Sequence, residues 1–81
     1  MEIKELQIVY NTLLQYWREY YGTSNDTQSR IEDSVRAYAN ILPGDIYLLL
    51  NQGSASGLFR HGFFQNDLER SLSILQKELD K

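Results

Sequence analysis

The opening stretch of the chain constrains the fold more than any other. Ile3, Leu6, Tyr10, Leu13, Trp17 and Tyr20 recur at alternating spacings of three and four. That repeat lines up side chains along one seam of an α-helix. A strand has no use for it, because strand faces alternate at every second residue. Val9, Leu14, Tyr16 and Tyr21 flank the seam and widen the apolar face beyond what one partner helix covers. A helix over residues 2–21 therefore has to sit against several others. Leu13, Trp17 and Tyr20 are expected in the core, whereas Tyr16 and Tyr21 are expected at the surface. Tyrosine joins a large apolar body to a polar tip, which suits a surface that is wet when free and dry when bound.

Other segments repeat the helical signal more briefly. Gly22 is expected to stop the first helix as a left-handed residue. Asn25 and Gln28 then have the spacing of a capping box, with Asp26 in the first turn of a second helix over residues 26–41. Its inward positions are Ile31, Val35, Tyr38 and Leu42. Glu32, Asp33, Arg36 and Asn40 fall on the opposite side, and Glu32 and Arg36 are spaced for an ion pair. Pro43 disfavours helix at Leu42 and suits the start of a new one. The run Ile46-Tyr47-Leu48-Leu49-Leu50 gives a third helix of barely two turns, too apolar to be wholly exposed. A Gly/Ser connector occupies residues 53–57, and residues 58–64 are irregular, with room for one short helical turn ending at Gly62. The last helix is expected to start near Asn66, capped by it and answered by Glu69. Phe64, Leu68, Leu72, Leu75 and Leu79 make its inward stripe, and Ile74 lies on a rim. The fold class that follows is all-α, a small bundle of three long helices plus one short helix, and residues 1–81 form a single helical domain.

Charge and composition narrow the function classes. Of the 81 residues 42% are hydrophobic and 23% charged, an ordinary globular balance that argues against disorder along the whole length. The net charge is −3, and the eight basic residues are scattered from Lys4 to Lys81 without a cluster. Nucleic-acid binders draw most of their affinity from neutralised phosphates, so no direct nucleic-acid partner is expected. A basic protein suits this charge better. There is no cysteine, and the longest apolar run, Ile46 to Leu50, is far too short to span a bilayer. Met1-Glu2-Ile3-Lys4-Glu5 has no apolar signal-peptide core, so a cytoplasmic location without membrane attachment is expected.

The sequence offers little for catalysis. His61 is the only histidine, and no Gly-x-Ser-x-Gly elbow, phosphate loop or alternating calcium loop accompanies it. A zinc site needs three or four Cys or His ligands. We therefore expect no enzyme, no cofactor and no metal. Asp26, Asp33 and Asp45 have no evident local partner, and are expected to form an acidic edge around the second helix and the turn into the third.

Gly44-Asp45-Ile46-Tyr47, with Glu32 and Asp33 upstream, resembles the immunity proteins of nuclease colicins. In that family an aspartate and a tyrosine pair open a short third helix and bind the toxin together with acids of the second. Here Leu48 stands in place of the second tyrosine. Tyr16-Trp17, Pro43-Gly44-Asp45 with Leu48-Leu49-Leu50, and the Leu68/Leu72/Leu75 spacing resemble the helical immunity proteins of contact-dependent growth inhibition systems. Arg18-Glu19 stands where many of those have aspartate-tryptophan. Both resemblances imply a toxin inhibitor: a small acidic cytoplasmic protein that covers the active site of a cognate bacterial toxin, most naturally a nuclease. The expected partner-binding residues are Tyr16, Tyr21 and Tyr47 as anchors, with Asp26, Glu32, Asp33 and Asp45 as complementary charge. The inhibitor would be a monomer. The alternative is a self-associating helical module, for example phage-encoded, in which the first and third helices form a homodimer interface.

Overall fold

In the computed structural model, which describes residues 2–52 and 57–81, the chain is an all-α bundle with three long helices and one short one. They are α1 (Ile3–Tyr21), α2 (Asn25–Asn40), α3 (Gly44–Asn51) and α4 (Phe64–Leu79). The connector expected over residues 53–57 lies outside the described residues except for Gly57.

The long seam of α1 places it at the centre, packed against both α2 and α4, while α3 rests on α4. Contacts between α1 and α4 run in reverse order. The Tyr10 hydroxyl donates to Gln76 Oε1 at 2.9 Å, the Tyr21 hydroxyl to Glu69 Oε1 at 2.8 Å, and the Tyr20 ring lies 5.1 Å from that of Phe64. The two helices are therefore antiparallel. Leu13, Val35, Ile46, Leu50 and Leu75 have no exposed surface, and one apolar cluster joins all four helices.

Several local expectations are corrected. Trp17 is only half-buried, its ring 5.1 Å from that of Tyr21 at a 57° tilt, and Tyr16 is half-buried against the core. Ile3, at the other end of the seam, is 72% exposed. Gly22 has φ −102°, not a left-handed angle; α1 ends instead in a tight turn closed by Gly22 N–H donating to Glu19 O. The Asn25–Gln28 capping box does not form. Helix α2 begins one residue earlier, at Asn25, and the Gln28 amide crosses to donate to the Tyr20 carbonyl at 2.9 Å, satisfying an end carbonyl of α1.

Helix α4 also starts early, at Phe64 rather than Asn66, and neither Asn66 nor any other side chain caps it. Phe64 is buried and sets the first turn in the core. The left-handed C-cap belongs to α3, where Gln52 has φ 51°. The expected short helical turn before Gly62 is a reverse turn, in which Phe63 N–H donates to Arg60 O and Gly62 takes φ 84°.

Ser71 breaks the leucine stripe of α4 and is fully buried, and its hydroxyl has no hydrogen-bond partner. Ser71→Ala removes an unsatisfied polar group and improves helix propensity, so it is expected to stabilise the fold by about 1 kcal/mol in urea denaturation. A loss of stability instead would show that the hydroxyl is bonded, for example to a carbonyl of the preceding turn.

Candidate partner-binding surface

The residues singled out from the sequence fall into three groups. On α1, Tyr16 lies beside a shallow depression formed with Thr12, Gln15 and Glu19, its ring half-buried. Tyr21 is 47% exposed, but it is tethered: its hydroxyl donates to Glu69, and the Tyr20 ring meets it edge-on at 5.5 Å. Desolvation, and then the hydrogen bond to the Glu69 carboxylate, push the Tyr21 phenol above its ordinary value. A folded-state value above the unfolded one favours the fold below about pH 10, and that contribution fades as pH rises through the folded value. Tyr21→Phe is therefore expected to lose slightly less stability than the parent as pH rises above about 10, read as melting temperature. Identical alkaline slopes would rule the tether out.

On α2, Asp26 is exposed in the first turn, and Asp33 lies seven residues on along the same side, about 10 Å along the axis. Asp33 is not without a local partner: its carboxylate lies 3.6 Å from Arg36 Nη1, although its side chain is 83% exposed. Glu32 forms the expected pair with Arg36 at 3.2 Å and is half-buried. Arg36 also donates from Nε to the Phe59 carbonyl at 2.8 Å, and its guanidinium lies 5.8 Å from the Phe64 ring centroid. This arginine neutralises part of the α2 face while tying the segment before α4 to the bundle.

On α3, Asp45 is exposed and Tyr47 half-buried. Asp45 too has a local partner, since Oδ1 accepts from Ile46 N–H at 2.9 Å. Ile46 and Leu50 anchor the helix with no exposed surface, while Leu48 points outward and is 64% exposed. The acids are thus spread along α2 and α3 rather than gathered, and Asp26 and Asp45 flank opposite ends of α2.

Sequence reasoning missed the exposed aliphatic residues. Ile8 is 61% exposed and Ile41 77%, and both line a shallow apolar groove of about 150 Å³ between the start of α1 and the end of α2. The available signal is that Ile8 lies off the α1 seam and Ile41 off the α2 stripe, one position before its last member Leu42. His61 is exposed beside a polar cleft that also takes in Glu32, Gln65 and Asn66. Among the described residues no three His, Cys, Asp or Glu side chains are grouped as metal ligands would be, and no helix is long and apolar enough to cross a membrane. No protein-family model, curated protein or solved structure matches the chain.

Proposed function

We propose that this chain is a protein-binding inhibitor, an immunity-type protein that acts in the cytoplasm by covering the active site of a cognate bacterial toxin with a basic surface, most naturally a nuclease. The observation that carries the reading is α3. Ile46 and Leu50 fix this eight-residue helix in the core, while Asp45 and Leu48 face solvent beside Tyr47. A rigid element that offers a carboxylate, an aliphatic side chain and a phenol together is suited to a partner with apolar pockets and positive charge. Asp26 and Asp33 extend the negative charge along α2, and the net charge of −3 favours approach to a basic protein. Inhibition on this reading needs no chemistry, only steric and electrostatic occupation of the groove that the toxin's substrate uses.

The test is capture from the native cell with the tagged chain as bait, followed by an activity assay of the recovered partner. One stoichiometric basic protein whose nuclease activity the chain abolishes is the expected result. With that partner in hand, Asp33→Lys combined with Asp45→Lys is expected to slow association at low salt about tenfold or more. An unchanged rate would remove the acidic edge from the mechanism. Recovery of the bait alone, with a dimer's mass by light scattering, would overturn the inhibitor and favour the self-associating module.

A further inference from the structure

The groove between α1 and α2 has a shape and a rim that specify what fits it. Its floor includes Val9, 3% exposed, with half-buried Tyr38 and Leu42 beside it; Ile8 and Ile41 form the two open walls, and Pro43 closes one end. A volume of about 150 Å³ suits a single apolar side chain, since a dry cavity of about that size takes up benzene. Two large isoleucines left mostly in water, one on α1 and one in the turn that ends α2, are a standing cost that an apolar visitor removes.

The charged residues within a turn of this lining settle the visitor's polarity. Glu5 itself lines the groove, Glu2 lies one turn before it, and Asp45 follows Pro43 by two residues; Lys4 is the one basic side chain beside them among the described residues. Arg36, two residues before Tyr38, does not offset this rim, because its guanidinium is committed to Glu32, Asp33 and the Phe59 carbonyl. We propose that the groove is a docking site for a basic amphipathic helix of a protein partner. One apolar side chain of that helix seats between Ile8 and Ile41, and flanking lysines or arginines face Glu2 and Glu5. The inference rests on the protein-partner reading above, but not on the partner being a toxin. It adds an aliphatic anchor point that the tyrosine and aspartate candidates did not include.

The test needs no identified partner. An amidated helical peptide of about 18 residues, built from lysine, leucine and alanine with leucines at three-four spacing, is titrated into the ¹⁵N-labelled full chain. A matched peptide with glutamate in place of lysine is the control. Amide shifts confined to residues 5–12 and 38–44, seen with the lysine peptide only, are expected. Ile8→Lys and Ile41→Lys are each expected to weaken that binding about tenfold. Both positions are exposed, so unchanged melting temperatures show that the fold is intact. Shifts centred elsewhere, equal response to both peptides, or binding that survives both substitutions would overturn the proposal. Shifts at the same amides on concentrating the chain alone, with a dimer's mass, would assign the groove to a second copy instead. Peptide binding in the groove by a chain that captures no toxin would leave this inference standing and remove only the toxin reading.

Discussion

Phe59→Ala is expected to destabilise the protein by about 3–5 kcal/mol, a large share of the roughly 4–12 kcal/mol available to a domain of this size. The ring is 1% exposed and packs against Phe64 at 5.7 Å, so truncation leaves a cavity at the end of the bundle rather than a dent in its surface. The backbone makes this position unusual. Phe59 has φ 58°, a left-handed angle that is uncommon for a bulky residue and costs on the order of 1 kcal/mol. The ring's burial and the hydrogen bond from Arg36 Nε to the Phe59 carbonyl hold it there. Glycine is free of that strain. Replacing alanine by glycine ordinarily costs about 0.5–1 kcal/mol, but here Phe59→Gly is expected to be no less stable than Phe59→Ala. Urea denaturation of the two variants reads the difference directly. A glycine variant weaker by the usual margin would mean that residue 59 does not occupy the left-handed region.

How much of this was legible in the sequence follows from the range of the forces involved. The α1 seam, the α2 stripe through Ile31 and Val35, and the Phe64/Leu68/Leu75 stripe of α4 are periodic. The structure buries these α2 and α4 residues together with Leu6, Leu13 and Tyr20 of the seam, while Tyr10 and Trp17 are half-buried and Ile3 is exposed. Periodicity is a local property, so the bundle could be read without knowing its packing. Helix ends were harder. Asn25 and Asn66 carry the right chemistry to cap, yet the Gln28 amide goes to Tyr20 O and α4 is set by the burial of Phe64, both of which are tertiary events. Tyr16 and Trp17 show the same limit, since how far a ring at the edge of a stripe is covered depends on neighbours that the seam does not specify. The aromatic segment over residues 58–64 was opaque because nothing local distinguishes Phe59, which is buried, from Phe63, which is 50% exposed. On the candidate surface, the sequence shows no evident local partner for Asp33 or Asp45. A short side chain near Arg36 or near the backbone of its own first turn finds one, and spacing alone did not show it. Ile8 and Ile41 escaped because a single apolar residue off a stripe is common and carries no meaning until a second helix brings another beside it.

Asp67→Ala is expected to cost about 2–4 kcal/mol, although from the sequence Asp67 is an ordinary acid in the first turn of a helix. Its side chain is only 3% exposed, which makes it the one buried charged residue among the described residues. One oxygen accepts from the Arg60 backbone N–H at 3.2 Å, and the carboxylate lies between two guanidinium groups, 3.8 Å from Arg60 Nε and 3.5 Å from Arg70 Nη2. Both arginines keep more than a third of their side chains in water, but Nε of each is buried without a hydrogen-bond partner, so the solvation penalty is shared between the aspartate and the two guanidinium groups. Removing the carboxylate strands an amide and the positive charge around it. Asp67→Asn keeps the shape and an acceptor for the amide, and is expected to lose about half as much. The arginines divide the role: Arg60, whose guanidinium also lies 4.5 Å over the Phe63 ring, reaches the acid from the segment before α4, and Arg70 reaches it from within the helix. Either one alone still faces the carboxylate. Arg60→Met and Arg70→Met should therefore each cost about 1 kcal/mol, while the double substitution should cost well over their sum, because only then is a buried charge left without a cation. A double-mutant cycle in urea measures this coupling. Strict additivity would show that water, not the second arginine, takes over when the first is lost, and that the acid is less enclosed than its 3% exposure implies.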